Sequence, residues 1–204
     1  MLYQMYSNEN TCITSTTSHK ELAINLAVES NTVYMESNIN YFANGEARIS
    51  IKESVRGKNI FIVSSPHTNA KQSINDHIME TYLLIKTCKR SDAANITWLC
   101  PLFPYARQDK KDHPRAAISA RDIADMFISA GINRIICLDL HSHQIQGFFN
   151  IPCDNLYAIH LIHTFLQDKY SIQDIPHNNT LNSDFVMVAP DEGALKRVQQ
   201  YANK

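Results

Sequence analysis

Glycine is scarce, five residues in a chain of 204. None belongs to a G-x-G-x-x-G or G-x-x-x-x-G-K pattern, so neither a Rossmann nor a Walker-type phosphate loop is present. No G-x-S-x-G elbow occurs, and no nucleophile triad can be argued. No apolar run approaches the ~20 residues that a membrane span needs. The opening MLYQMYSNENTCITSTTSHK lacks the charged and apolar regions of a signal peptide. Neither sign of charge is in excess: the net charge is −1 and the pI about 6.7, which argues against wholesale nucleic-acid binding but leaves room for a local basic site. Cysteine comes as an odd set of five (Cys12, Cys88, Cys100, Cys137, Cys153) with no C-x-x-C pair. Buried reduced thiols fit that pattern better than a disulfide framework or a zinc site. The expectation is a cytoplasmic protein with neither membrane nor nucleic acid as partner.

What is present is apolar patterning. Hydrophobic residues make up 44% of the chain, enough for a substantial core. Buried strands are expected at 59–65, 95–103, 134–140 and 184–189. Helices are expected at 74–89, at Ser119–Ala130 with Ser119 as N-cap and Gly131 as stop, at 158–169, and from 193 to 202. Within 74–89, Ile74, Ile78, Tyr82 and Ile85 share one helical face. All-apolar strands alternating with helices imply a parallel sheet covered on both faces. Such sheets take ligands at the carboxyl ends of their strands. The polar residues after each strand therefore matter most.

Three clusters stand at such places. PYARQDKKDHPRAAISAR at 104–121 carries Arg107, Lys110, Lys111, Arg115 and Arg121. A charge run is usually a solvated face, but after an apolar strand arginines can fork onto phosphate oxygens and lysines can neutralise charge. In Asp139-Leu-His141-Ser-His143, the carboxylate and the imidazole two residues on would share one face of a strand end and could reach one metal or its waters. The bland alternative is a histidine satisfied by backbone hydrogen bonds. The His-x-His is also similar to the metal-binding opening of amidohydrolases, a reading that would want further barrel strands. The turn Ala189-Pro190-Asp191-Glu192-Gly193 suits magnesium, although Asp191 can equally cap the following helix.

FPYARQDKKD (103–112) with ISA (118–120), LDLHSHQIQGFF (138–149), IPCDNLYA (151–158), FANGE (42–46), ESVRG (53–57) and APDEGALKR (189–197) occur in the order and spacing of one family. The chain resembles the ribose-phosphate diphosphokinases, which make phosphoribosyl pyrophosphate, from about residue 18 onward. The resemblance implies a phosphoribosyltransferase-like α/β fold. It implies an ATP- and magnesium-binding domain over 1–156 and the start of a second, truncated domain over 157–204. It also implies Mg2+-dependent transfer of the diphosphoryl group of ATP to the C1 hydroxyl of ribose 5-phosphate, with AMP as the other product.

By matching position, Phe42, Asn44 and Glu46 would hold adenine from a neighbouring subunit. Arg107, Gln108, Lys110, Lys111 and Asp112 would meet ATP, with Arg107, Lys110, Lys111 and His141 as the catalytic set. His141 and Asp191 would serve magnesium, with Asp139 and Asp154 as further candidates. Ser54 and Arg56 would form a regulatory phosphate or nucleotide site at a subunit interface. A homo-oligomer, or an assembly with full-length homologues, is implied as well. There are three departures from the family pattern: Asn150 for Asp, Ala194 for the second glycine of P-D-x-G-G, and the pair His113-Pro114 for Lys-Ser. The family's acidic ribose-phosphate loop has no counterpart in these residues. A non-catalytic, nucleotide-binding regulatory subunit is the alternative expectation.

Overall fold

The computed structural model describes residues 10–170, 186–195 and 198–199. The chain divides into two compact units, Met1–Leu156 and Tyr157–Lys204.

The first unit is built on six parallel strands: β1 (Thr11–Ser15), β2 (Val33–Tyr34), β5 (Asn59–Val63), β6 (Asn95–Cys100), β7 (Arg134–Leu138) and β8 (Cys153–Leu156). Their order across the sheet is β2-β1-β5-β6-β7-β8. β3 (Ser37–Tyr41) and β4 (Ala47–Ile51) form a separate antiparallel hairpin. The helices are α1 (Lys20–Glu29), α2 (Ile74–Arg90) and α3 (Ser119–Ala130). The strand–helix alternation read from the middle of the chain is therefore present. It is extended on the amino-terminal side by β1, α1, β2 and the hairpin, which the apolar pattern did not mark.

The core follows from residue type. Ile60, Ile62, Ile96, Trp98 and Ile135 are at most 1% exposed on adjacent strands. Trp98 stacks on Phe127 of α3 at 4.1 Å between ring centroids, and Phe103 meets Phe149 edge-on at 5.6 Å. Aromatic pairs in such arrangements add to the burial of their area. The hairpin lies on α2, with Ile49 and Ile51 packed against the same core. Because α2 is covered by both sheet and hairpin, a second stripe is buried along it: His77, Glu80, Thr81, Leu84 and Cys88. No disulfide forms. Four cysteines are buried and Cys153 is half-buried, and burial pushes the Cys88 thiol up to about 12.

The helix ends correct one expectation and meet another. Ser119 is the first residue of α3 and does not cap it; Ile118 holds the cap position. The Ser119 hydroxyl instead donates to Gln108 Oε1. Gly131 closes the helix in the left-handed conformation at φ 114°, where a side chain would be strained.

In the second unit, α4 (Ile159–Tyr170) forms where a helix was expected. The strand expected over 184–189 is not found in 186–189, where the backbone has no ladder partner among the described residues; 184 and 185 lie outside them. Of the helix expected over 193–202, a 3-10 turn Glu192–Ala194 and helical residues at 195, 198 and 199 are described.

The N-terminus of α2 is held by a capping box. Ser73 Oγ accepts from Asp76 N–H at 3.2 Å, and Asp76 accepts from Ser73 N–H at 2.7 Å. The Ser73 backbone N–H and hydroxyl hold the Asp76 carboxyl below its ordinary 3.8. A depressed folded-state value adds stability that is present above the unfolded value and lost as pH falls through the folded one. Ser73→Ala should lower stability by about 1 kcal/mol in urea unfolding at neutral pH. The gap to the parent chain should narrow once pH falls below the ordinary aspartate range.

Candidate active site

Parallel strands bring the loops that follow them to one edge. Here that edge collects the turn after β1 (Thr16–His19), the loop from β5 to α2, the loop from β6 to α3, and the turn after β7. Three non-glycine residues with positive φ belong to it: Tyr105 (57°), Arg115 (67°) and Asp139 (47°). Left-handed backbone at such residues costs energy and gathers where surrounding structure enforces it for a purpose.

The β6–α3 loop is pinned at its base and open along its middle. Tyr105 donates its hydroxyl to Asn75 Oδ1 of α2 at 2.7 Å. Gln108 is fixed on both sides: its N–H donates to Tyr105 O at 3.0 Å, and its carbonyl accepts from Ala120 N–H at 3.2 Å. With its side chain engaged by Ser119, Gln108 is first of all the anchor of the loop on α3. Arg107, Lys110, Lys111 and Arg115 are exposed and have no ion-pair partner among the described residues. Asp112 pairs with its neighbour His113 at 2.6 Å, and Asp109, between Arg107 and Lys110 in sequence, forms no ion pair with any of the four among the described residues. Four cations held without counter-ions on a strained loop form a ready receptor for an anion of several charges.

The β7 turn is fixed by its neighbour strand. Asp139 N–H donates to Leu156 O at 2.8 Å, and Leu140 N–H donates to Asn155 Oδ1 at 3.0 Å. Leu140 is 6% exposed and acts as an anchor between half-buried Asp139 and exposed His141. Asp154 is engaged elsewhere. It pairs with Arg134 at 2.5 Å, and in register it lies beside Ile136, below the strand ends. Asp191 caps the 3-10 turn of the second unit, accepting from Ala194 N–H at 3.0 Å. Ala194 is within that right-handed turn, so its substitution for glycine brings no left-handed strain. Asn150 is exposed beyond the 3-10 segment His143–Phe148.

Among the described residues no group of three or more His, Cys, Asp or Glu side chains is set to hold a metal. Asp139 and His141 follow β7 directly, but the strand ends at Leu138 and Asp139 has a left-handed φ of 47°, so the shared strand face read from their spacing is not formed. A carboxylate suits Mg2+, which keeps several waters and is bound through few protein oxygens.

The hairpin supplies a different surface. Its loop runs from Phe42 to Glu46, closed by Phe42 N–H to Glu46 O and Gly45 N–H to Phe42 O, both at 2.9 Å. Gly45 turns the chain at φ 87°, and Asn44 Oδ1 accepts from Glu46 N–H at 3.2 Å. Part of Asn44's hydrogen-bonding capacity thus shapes the turn. The Arg48 guanidinium lies 6.0 Å from the Phe42 ring centroid. A cavity of about 390 Å3 opens between hairpin and helix, lined by Tyr41, Phe42, Glu46, Asp76, Met79 and Leu83 among others. Apolar walls with two carboxylates offer a face for a flat heterocycle and acceptors for its amino group. Asn75, which holds Tyr105, and Asp76, which lines this cavity, are neighbours in the first turn of α2.

Ser54 and Arg56 sit before β5, at the amino end of the sheet. Val55 between them is fully buried, and Arg56 faces Asp92 at 3.8 Å.

Fold and edge together define an α/β protein with an open parallel sheet whose carboxyl edge presents cations, a carboxylate–imidazole turn and a hairpin cavity. The chain belongs to the ribose phosphate pyrophosphokinase family: the model for the N-terminal domain of ribose phosphate pyrophosphokinase matches residues 11–131. It is 39% identical over 197 residues to a ribose-phosphate pyrophosphokinase of Corynebacterium efficiens, covering 97% of this chain and 56% of that one. To ribose-phosphate pyrophosphokinase 2 of Schizosaccharomyces pombe it is 41% identical over 187 residues, 92% of this chain and 54% of the relative. The crystal structure of phosphoribosylpyrophosphate synthetase from Mycobacterium smegmatis superposes with a TM-score of 0.82 at 36% identity, over 95% of this chain and 60% of that one. The chain thus spans little more than half the length of these relatives. The resemblance read from the motifs is borne out.

Several residues of the edge were not singled out from sequence: Thr17, Tyr41, Arg48, Gln72, Glu80 and Asn155. For Glu80 a signal existed, an acid placed three residues after His77 and four before Leu84 on a helical stripe that turns out to be buried.

Replacing Asn155 with Ala would leave the Leu140 N–H without its partner. The expected outcome is a stability loss of about 1–3 kcal/mol in chemical unfolding. Faster amide exchange confined to 139–142 should accompany it, since no other element relies on that bond.

Proposed function

We propose that this chain supplies the nucleotide- and magnesium-binding part of a ribose-phosphate diphosphokinase. The reaction transfers the diphosphoryl group of ATP to the C1 hydroxyl of ribose 5-phosphate, giving phosphoribosyl pyrophosphate and AMP. The observation that carries this reading is the cluster of Arg107, Lys110, Lys111 and Arg115, exposed and unneutralised on the β6–α3 loop. Keeping four cations close together without counter-ions opposes folding by mutual repulsion, which a polyphosphate would relieve.

The roles follow from the chemistry of phosphoryl transfer, which needs positioning and charge neutralisation more than a covalent nucleophile. Arg107 forks onto phosphate oxygens. Lys110 and Lys111 neutralise charge that develops on the leaving AMP oxygen and the diphosphoryl group. Gln108 fixes the loop so that Arg107 is presented from a constant base, and Asp112 with His113 borders it. Asp139 and His141 would hold Mg2+, which would supply positive charge to offset that of the phosphates. Asp191 is the metal candidate of the second unit, where it also caps a 3-10 turn. Asp154 is the weakest metal candidate, because its carboxylate is already committed to Arg134. Phe42 and Glu46 give adenine a ring to stack on and an acceptor for its amino group, with Asn44 shaping the turn that carries them. Assembly into a homo-oligomer, or with longer homologues, is part of the proposal.

The test is a paired assay on the purified chain: calorimetric titration with ATP and Mg2+, and AMP release with and without ribose 5-phosphate. Binding, with AMP formed only when the sugar phosphate is present, is the expected outcome. Binding without AMP under either condition would assign the chain a nucleotide-binding role only, and absence of binding would overturn the proposal. Arg107→Ala should weaken ATP binding by about ten- to a hundredfold, the worth of a charge-assisted contact, while thermal unfolding stays close to that of the parent. His141→Ala should flatten the dependence of ATP affinity on Mg2+ concentration. A superimposable magnesium titration would remove His141 from the metal site.

A further inference from the structure

A carboxylate buried in an α-helix is costly unless its oxygens are met by donors. Glu80 in α2 is fully buried, and four donors converge on it. Thr17 N–H reaches Oε2 at 3.1 Å and the Thr17 hydroxyl reaches the same oxygen at 2.7 Å. Tyr41 Oη donates to Oε1 at 2.6 Å and Gln72 Nε2 at 2.5 Å. Gln72 Nε2 also lies 2.8 Å from Tyr41 Oη. The three partners come from three separate pieces of chain: the turn after β1, the end of β3, and the loop from β5 to α2. No backbone ladder joins the hairpin to the six-stranded sheet.

Tyr41 is the last residue of β3, and Phe42 begins the loop. The Tyr41–Glu80 bond therefore acts on the hairpin one residue from the tip. Burial, with the Glu80 hydrogen bond next in size, raises the Tyr41 phenol above its ordinary value, so it remains a donor through the physiological range. Along the rest of the hairpin the attachment is apolar, through Ile49 and Ile51 on the core. Apolar contacts resist separation but do not set orientation, whereas a buried hydrogen bond to a carboxylate has a fixed direction and length.

We propose that Glu80 is a positioning residue for nucleotide recognition: through Tyr41 it fixes the Phe42–Glu46 tip relative to the β1 turn and the first turns of α2. This rests on the reading of Phe42 and Glu46 as the adenine contacts. Glu80 itself, closed off by Thr17, Tyr41 and Gln72, touches no ligand.

The test compares Tyr41→Phe, Glu80→Gln and Phe42→Ala in the full chain by amide hydrogen exchange and by ATP calorimetry. Tyr41→Phe removes one hydroxyl and keeps the ring, so its fold should survive even if Glu80→Gln does not accumulate. In Tyr41→Phe the Phe42 and Gly45 amides should exchange about tenfold faster, the effect of losing one charge-assisted hydrogen bond. The amides of β5 and β6 should be unaltered. ATP affinity should fall by a similar factor, and adding Glu80→Gln should lower it little further, because both changes break the same bond. Unchanged exchange at the tip, or acceleration spread evenly over the whole unit, would overturn the proposal. So would weaker ATP binding by Phe42→Ala beside unaltered binding by Tyr41→Phe, which leaves the adenine reading intact. Unaltered ATP binding in Phe42→Ala would instead remove the adenine reading, and the positioning role with it.

Discussion

The parallel pairing of β1, β5, β6 and β7 is the constraint on which the rest of this structure depends. A parallel ladder forces each connection to travel back over a face of the sheet, so both faces must be apolar and every loop that follows a strand emerges at the same edge. Ile60, Ile62, Ile96, Trp98 and Ile135 satisfy the first demand by disappearing from solvent. The second places Thr17, Gln72, Arg107 and Asp139, which are far apart in sequence, at one edge of the first unit. Ser54 and Arg56 precede β5 and for the same reason are kept at the opposite end.

At the loop edge the chain accepts local costs that the core offsets. Tyr105, Arg115 and Asp139 adopt left-handed backbone without being glycine. Arg107, Lys110, Lys111 and Arg115 are exposed with no counter-ion among the described residues. Glu80 is buried with its charge met only by hydrogen bonds. Each choice is unfavourable taken alone, and their concentration at one edge is the physical signature of a site. Where a carboxylate is instead given an ordinary partner, as Asp154 is by Arg134, it is drawn toward structural work.

The motifs at 103–112 and 138–149 were legible because chemistry and position coincide: charged and imidazole side chains directly follow apolar strands. The helices α2 and α3 were legible from their apolar spacing, and Gly131 from its place after α3. The hairpin was legible only as the motif FANGE. Its strands, SNINY and ARISI, alternate exposed with half-buried residues and carry too little apolar character to announce a partner. β1 and β2 escaped for a related reason. TCITS carries three hydroxyl side chains yet is entirely buried; the Ser15 hydroxyl meets Tyr34 Oη at 3.2 Å, while that of Thr14 has no hydrogen-bond partner among the described residues.

The sequence by itself determined the apolar alternation that makes a parallel α/β sheet, the family to which the chain belongs, and the charged and imidazole side chains that follow its strands. Those properties are local, set by spacing and side-chain chemistry. Tertiary structure alone decided which of the candidate residues are free to act. It tied Gln108 to Ser119 and Asp154 to Arg134, left four cations of the β6–α3 loop without counter-ions among the described residues, and gathered Thr17, Tyr41 and Gln72 around Glu80. Hydrogen-bond and ion-pair partners are chosen by distances in space, and residues 39 and 63 positions apart meet at Glu80 only once the sheet has formed.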